Sequence, residues 1–165
     1  MALTVDEKKE LVNKWKKMNY KFESNNKEHF SLHDCLVTKA KLEDNKLTLY
    51  FPEGIFYSEY GDHWPNTSKA AVEYVVDYLD EVYVYVFKKV GKKKVVKEYN
   101  VEQLVKKINS NKWKLEFLYR YDGYKEIMHT VFVWLDKKPY SYEGQIFIGA
   151  NSEKFRWNPP LESSD

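Results

Sequence analysis

The chain has 165 residues, a formal net charge of +2 and an aromatic content of 17%. This length suits one domain with a core of its own, and the charge is too small to indicate a polyanionic partner by itself. The single cysteine, Cys35, excludes an internal disulfide. The first residues are charged where a signal peptide is apolar, and no segment has the length of a membrane span. We therefore expect a soluble cytoplasmic protein.

The first predicted element is a helix over residues 4–18. Thr4 followed by Glu7 has the spacing of a capping box. An apolar stripe with helical spacing follows, formed by Leu11, Trp15, Met18 and Phe22. Such a helix is expected to cover a face of the protein's own sheet.

A two-stranded antiparallel ribbon is predicted over residues 35–51. Asp44 and Asn45 tolerate the positive φ angles that a two-residue hairpin turn requires. With that turn, four pairs of residues face each other across the ribbon: Glu43 and Lys46, Leu42 and Leu47, Ala40 and Leu49, Thr38 and Phe51. One face is then largely apolar and the other is polar, so the register is well specified.

The middle of the chain is predicted to hold an irregular aromatic loop over residues 54–67, followed by strands over residues 70–99. The loop contains two glycines, a proline and four aromatic residues. Beyond it, the alternation of Val72, Tyr74 and Val76 favours a strand, although a helix over residues 67–80 stays an alternative. The run from Val82 to Phe87 is apolar or aromatic at every position, which predicts a central strand covered on both faces.

A second short helix is predicted over residues 101–109, because Asn100 and Gln103 form another capping box. A hairpin follows over residues 113–135, with Asp122-Gly123 as its turn. That turn places His129 opposite Glu116. It also places Leu118 opposite Ile127.

A strand over residues 144–150 and a short one over residues 155–157 complete the predicted sheet, and a loose tail covers residues 161–165. The predicted fold is a single α+β domain. It contains a curved, mostly antiparallel sheet of six to eight strands, an N-terminal helix and a second short helix.

His33, Asp34 and Cys35 form the most suggestive short motif. A thiol beside an imidazole can form a nucleophile pair, and together with His63 it would make a small hydrolase or ligand-binding site. Neighbouring side chains of an extended segment point to opposite sides, however, which favours a structural role. No histidine pair has the spacing of a familiar metal motif, so we predict no catalytic residue, no metal and no cofactor.

Two surfaces are candidates for binding a partner. The first is the aromatic loop, where the proposed contacts are Tyr57, Tyr60, Asp62, His63 and Trp64. The second is a basic patch on a predicted hairpin, formed by Lys88, Lys89, Lys92, Lys93, Lys94 and Lys97. Lysines of this kind attract phosphate or an acidic protein, but they also protect a solvated sheet edge. Aromatic residues are not interleaved with them, as single-strand nucleic-acid binders require.

The stretch Phe30-Ser31-Leu32-His33-Asp34-Cys35, followed by the ribbon that ends at Phe51, resembles the opening of a group of small bacterial proteins. These are immunity-type proteins of polymorphic toxin systems. The resemblance implies a non-enzymatic protein that binds and blocks a cognate toxin. It also implies a structural role for His33 and Asp34, and it identifies no binding residues.

We therefore predict a non-enzymatic protein-binding module of immunity type. The alternatives are a nucleic-acid-binding protein that uses the lysine-rich hairpin, and a small ligand-binding protein or hydrolase around His33, Cys35 and His63. Strand order and oligomeric state stay open at this point.

Overall fold

The computed structural model describes residues 2, 4–9 and 20–161, and within them the chain is mostly antiparallel β-structure. Residues 5–9 are helical, and helix α1 is Val101–Asn109. The strands of the described residues are β1 Phe22–Ser24, β2 Phe30–Ser31, β3 Leu36–Val37, β4 Lys39–Glu43, β5 Lys46–Phe51, β6 Phe56–Tyr57, β7 Ala70–Val76, β8 Val82–Val90, β9 Lys93–Asn100, β10 Lys114–Gly123, β11 Glu126–Trp134, β12 Ser141–Ile148 and β13 Ala150–Trp157.

The strands form three open sheets. The order is β1-β13-β7-β5-β4 in a five-stranded sheet, β3-β10-β11-β12-β8-β9 in a six-stranded sheet and β2-β6 in a two-stranded sheet. The prediction of six to eight strands in one curved sheet is therefore wrong for the described residues. The reason is that the chain passes from one sheet to the other at Thr38 and at Gly149, so that continuous extended segments contribute strands to both large sheets.

The inner faces of the two large sheets share one buried apolar cluster. Phe51 of the five-stranded sheet meets Phe117 of the six-stranded sheet with 5.7 Å between ring centroids. Helix α1 adds Leu104 and Ile108 to the same cluster and packs against β4, β8 and β9. Burial of this apolar surface is the main favourable contribution to folding.

The predicted register of the ribbon is confirmed for β4 and β5. Glu43 pairs with Lys46, and the pairs that follow are Leu42 with Leu47 and Ala40 with Leu49. Asp44 has a φ angle of 54°, as the turn requires. The strand at Val72, Tyr74 and Val76 is also confirmed, since β7 spans Ala70–Val76.

Both predicted capping boxes are present. The Thr4 hydroxyl accepts a hydrogen bond from the Glu7 amide at 3.1 Å, and the Asn100 side chain accepts one from the Gln103 amide at 2.8 Å. Each box is closed by the return bond from the first residue's amide to the second residue's side chain. The rest of the predicted N-terminal helix, with its stripe of Leu11, Trp15 and Met18, lies outside the described residues, as do residues 162–165 of the predicted tail. Phe22 belongs to β1 rather than to a helix.

The predicted turn of the β10–β11 hairpin is wrong by two residues. Asp122 pairs with Ile127, and Gly123 pairs with Glu126, so both remain in the strand and the turn falls at residues 124–125. A β-bulge after Phe117 shifts the register further. His129 consequently pairs with Arg120 instead of Glu116, and Leu118 does not pair with Ile127.

Two other segments differ from the prediction. The loop over residues 54–67 is not irregular throughout, because it contains β6 and a 3₁₀ turn at Ser58–Tyr60. It is fastened by the Asn66 side chain, which accepts a hydrogen bond from the Tyr57 amide at 2.7 Å. The final strands are longer than predicted, since β12 begins at Ser141 and β13 at Ala150. Among the described residues, no helix is long and apolar enough to cross a membrane.

Gly54, at the start of the aromatic loop, should be much less tolerant of alanine than Gly61 in the same loop. Both have positive φ angles, 98° and 94°. We expect Gly61→Ala to lower the free energy of unfolding by about 1–3 kcal/mol through backbone strain alone. Gly54→Ala should cost more, because its Cβ would lie 2.3 Å from the Thr67 carbonyl oxygen, whereas Gly61 has no atom within 4 Å of its Cβ position. Urea unfolding of both variants measures the difference, and equal losses would contradict the tight contact at Gly54.

Candidate functional site

Two of the five aromatic-loop residues proposed as partner contacts are held against the protein's own core. Tyr57 stacks on Phe30 with 5.1 Å between ring centroids. Tyr60 lies 4.9 Å from Tyr57, and its hydroxyl accepts a hydrogen bond from the Trp157 indole at 3.1 Å. Both rings are half-buried. Tyr57 and Tyr60 therefore act first as supports of the loop.

The other three loop residues present more surface. Asp62 and His63 are exposed, and Trp64 keeps 42% of its surface accessible. The Trp64 ring stacks on Phe56 with 3.9 Å between centroids, and its indole nitrogen donates a hydrogen bond to the His33 carbonyl. The outer part of the loop is therefore anchored over the His33 segment.

The residues of the proposed thiol site do not come together. Cys35 is only 2% exposed, and burial raises the pKa of its thiol to about 12. The His33 ring is hydrogen-bonded through Nδ1 to the Leu118 carbonyl at 2.8 Å, with Asp34 3.4 Å from Nε2. His63 lines a separate cleft beside Pro65. This geometry gives no support to a Cys35-dependent hydrolase.

In the part of the chain that the structure describes, no three residues of the metal-ligating types His, Cys, Asp and Glu are grouped where they could hold an ion. Several charged side chains do converge in an ion-pair cluster. It is built around Arg120, the residue that the β10 bulge brings opposite His129.

The ion-pair cluster contains two cations and two anions. The Arg120 guanidinium donates two hydrogen bonds to Glu153, at 2.8 and 3.0 Å, and others to Asp122. The Lys27 amine lies 3.3 Å from Asp122 Oδ1, an oxygen that Arg120 also contacts. Burial alone would lower the pKa of Arg120, but its bonds to Asp122 and Glu153 raise it overall. The hydrogen bond from Arg120 lowers the pKa of Asp122. Arg120 and Asp122 are therefore both charged at neutral pH. The formal charges of the four side chains cancel.

A pocket of about 300 Å³ opens beside this cluster, and we call it the His129 pocket. Its lining residues come from β2 and the segment after it, the β10 bulge, β11 and β13. They are Phe30, Ser31, Leu32, His33, Leu118, Tyr119, Arg120, His129 and Phe155. The pocket thus lies where all three sheets meet.

His129 is the least solvated polar residue of the pocket, with 2% of its surface exposed. Neither ring nitrogen makes a hydrogen bond within the described residues, and Nε2 is fully buried. Burial and the neighbouring charge of Arg120 lower the pKa of His129 to about 3, against a smaller opposing effect of Asp122. The imidazole is consequently neutral at physiological pH.

The predicted basic patch lies on the β8–β9 hairpin, and β9 is an edge strand of the six-stranded sheet. Among the described residues, none of its six lysines forms an ion pair, and only Lys88 is half-buried. The Lys88 amine donates a hydrogen bond to the Tyr99 hydroxyl at 2.8 Å and lies over the same ring. Lys97 also lies over Tyr99, but that ring is buried and cannot stack on a nucleic-acid base.

A larger surface, the outer face of the six-stranded sheet, was not anticipated. The run from Val82 to Phe87 was predicted to be covered on both faces, but its tyrosines are half-buried and Phe87 is 38% exposed. Neighbouring strands add further rings beside them. We call this surface the aromatic face, and it consists of Tyr83, Tyr85 and Phe87 from β8, Phe147 from β12, and Phe132 and Trp134 from β11.

Five of the six rings of the aromatic face contact another ring, and they form two groups. Tyr83 pairs with Phe147 across the strands and stacks on it at 4.9 Å, and Tyr85 is 5.4 Å from the same ring. Phe132 and Trp134 form a second group with 5.9 Å between centroids. The alternation of aromatic residues within each strand was visible in the sequence. Only the register reveals that they form one surface.

No protein-family model matches the chain, and no curated protein or solved structure matches it either. The resemblance to immunity-type proteins therefore remains a prediction from the sequence.

Cys35 should be almost unreactive in the folded protein. A thiol with a pKa near 12 has about a thousandfold less thiolate at pH 8 than one with its usual value of 9. We expect reaction with a disulfide reagent such as DTNB to become fast only when urea unfolds the chain. Rapid labelling under native conditions would contradict this burial and would restore Cys35 as a candidate nucleophile.

The free energy of unfolding should fall as the pH drops below about 6.5. An unfolded histidine titrates near 6.5, whereas His129 in the folded protein titrates near 3. The unfolded state therefore binds the extra proton first, so stability is complete above 6.5 and is lost as the pH falls towards 3. At pH 5 this single group should cost about 2 kcal/mol.

The variant that tests this pH effect is His129→Gln. Its control is His29→Gln, because His29 is exposed. Urea unfolding at pH 5 and pH 7 measures the loss of stability for each protein. His129→Gln should reduce that loss, and His29→Gln should leave it unchanged. An unchanged loss in His129→Gln would mean that His129 is not the group responsible.

Proposed function

We propose that this chain is a non-enzymatic protein-binding module and that the aromatic face is its binding surface. The observation that carries the proposal is the accessibility of these rings on a sheet whose other face is already buried in the core. Phe87 and Trp134 remain 38% and 39% exposed, although Trp134 lies beside Phe132. Exposed apolar groups that are bordered by polar residues are characteristic of interaction sites.

The chemistry of the rings suits a protein partner. Tyr, Trp and Phe are enriched where interfaces are fully desolvated, since each buries a large area with few rotatable bonds. Tyr83 and Tyr85 additionally offer hydroxyl groups at the edge of the patch. A partner that covered this face would exclude water from all six rings at once, which is how binding hot spots form.

Lysines at one border of the aromatic face would attract acidic groups of a partner at that edge, whereas glutamates lie beside the rings elsewhere. At the tip of the β8–β9 hairpin, Lys89 pairs with Lys94 on the aromatic side of the sheet. The adjacent pair, Lys88 with Val95, lies on the other face. The next pair away from the hairpin tip is Phe87 with Val96. The apolar surface is therefore adjacent to lysines that lack an ion pair in the described residues. Carboxylates of a partner would be drawn to this edge and would fix its orientation.

The narrower form of the proposal follows the sequence resemblance. In that form the chain is a single cytoplasmic domain of immunity type, and its partner is a toxin that it neutralises by covering part of the toxin's surface. The exposed part of the aromatic loop, at Asp62, His63 and Trp64, would be a second contact area. The two areas share no residue, so variants of each can be tested separately.

Nucleic-acid binding through the lysine-rich hairpin is the second candidate, and the six lysines without ion pairs favour it. Such binding would weaken steeply as salt rises, because it depends on the release of counterions. The aromatic face is less suitable for a phosphate backbone, since Glu98, Glu116 and Glu143 lie among or beside its rings.

The test is affinity capture of the tagged protein from lysate of its source, with and without nuclease, followed by measurement of the eluted partner's affinity. The variant Phe87→Ser with Trp134→Ser should weaken binding of a protein partner by at least about tenfold, because two interface rings are lost. The matched control is Tyr78→Ser with Tyr124→Ser, which removes two exposed rings outside the aromatic face.

Loss of the partner in the face variant alone would support the proposal, provided that urea unfolding shows that both variants are folded. Equal binding by wild type and face variant would overturn it. Recovery that nuclease abolishes would favour the second candidate. Elution of a second copy of this chain, confirmed by sedimentation, would make the aromatic face a dimer interface instead.

A further inference from the structure

The His129 pocket has features that partner binding does not use. It opens on the inner side of the β10–β11 hairpin, whereas the aromatic face lies on the outer side of the same sheet, since His129 and Met128 alternate along β11. A ligand in this pocket would therefore not depend on the function proposed above.

The first feature is an imidazole without a partner. His129 is nearly inaccessible, yet neither of its nitrogens is hydrogen-bonded within the described residues. A buried polar atom that lacks a partner destabilises the folded protein, and most such atoms in native structures are satisfied by a protein group, a water or a ligand. Nε2 is fully buried, so the hydrogen bond that a group bound in the pocket could supply is the one at Nδ1.

The second feature is the aromatic character of the pocket walls. Phe30 and Phe155 are stacked with 4.4 Å between centroids and an interplanar angle of 4°. On the other side, Tyr119 lies 5.1 Å from His33. Leu32 and Leu118 complete an apolar lining around the polar floor. Because Tyr57 covers the other face of Phe30, this stack presents ring edges to the pocket. Aromatic rings pack well edge to face, and a cavity of about 300 Å³ is large enough for one ring.

The third feature is that the ion-pair cluster beside the pocket carries no net formal charge. Arg120 is neutralised by Glu153 and Asp122, and Lys27 compensates the second carboxylate. An anionic or cationic ligand would lose hydration without finding an unpaired opposite charge in this cluster. A neutral ligand avoids that cost.

We propose that the His129 pocket binds a neutral, planar, single-ring molecule that carries a hydrogen-bonding group on its edge. The ring lies against the Phe30 and Phe155 side, and its polar edge faces His129. Phenols, aromatic amides and pyrimidine bases all have this chemistry. Arg120 contributes to the site mainly by holding the bulge in place.

The experiment is a titration of the ¹⁵N-labelled full chain with phenol, benzamide and uracil, observed by NMR. Benzoate serves as a charged control and cyclohexanol as a non-planar one. At least one neutral ring should give saturable shifts centred on residues 31–33, 118–120 and 129, with a dissociation constant on the order of 1 mM. Benzoate and cyclohexanol should bind at least about tenfold more weakly.

Two variants separate the hydrogen bond from the cavity. His129→Phe keeps a ring of similar size but removes both nitrogens, and it should weaken binding about tenfold, as the loss of one buried hydrogen bond predicts. Leu118→Trp should fill the cavity and abolish binding. His29→Gln is the control and should bind as the wild type does.

The ring ¹⁵N signals of His129 provide a readout in the wild-type protein that needs no substitution. They should shift when a probe binds, because the probe becomes the hydrogen-bond partner of the imidazole. Absence of saturation by all three neutral rings at about 10 mM would overturn the proposal and leave water as the only occupant of the pocket. Unchanged affinity in His129→Phe would overturn it as well.

Discussion

The ion pair between Arg120 and Glu153 is the interaction on which much of the structure depends. Arg120 belongs to β10 in the six-stranded sheet and Glu153 to β13 in the five-stranded sheet, so their two hydrogen bonds join the sheets directly. Glu153 is buried, and a buried carboxylate without a counter-ion would be strongly destabilising. The bulge in β10 is what directs Arg120 towards it. The same bulge pairs His129 with Arg120 and supplies part of the lining of the His129 pocket.

The parts of the fold that could be predicted are those fixed by neighbouring residues. The turn at Asp44 and the register of β4 and β5 follow from local conformation and from one apolar face, and the capping box at Asn100 needs only Gln103. The bulge after Phe117 has no comparable local signal, because the residue that it positions, Arg120, pairs with the distant Glu153. The crossing of the chain at Gly149 is equally non-local. One extended segment in the sequence therefore became two strands in different sheets.

The candidate sites also differ in how far the sequence could predict them. The lysines of the β8–β9 hairpin could be identified from the sequence because they are adjacent along the chain. The aromatic face could not, since Tyr83 and Phe147 become neighbours only through strand pairing. In the aromatic loop the residue types were informative but their roles were not: Tyr60 and Trp64 are both aromatic, yet Tyr60 supports Trp157 while Trp64 reaches the surface. The His129 pocket required contacts between segments more than a hundred residues apart.

The exposed edge strand β9 has a consequence for the behaviour of the protein in concentrated solution. An unpaired edge invites the same edge of another copy to add to it, and continued addition leads to aggregates. Here two copies approaching through β9 would bring Lys93, Lys94 and Lys97 of each chain close together, so the edge is protected by repulsion rather than by shape. Repulsion of this kind has a range of about 10 Å at 0.1 M salt and shortens as salt rises. An edge with this net positive charge disfavours pairing with a copy of itself and favours pairing with an acidic strand.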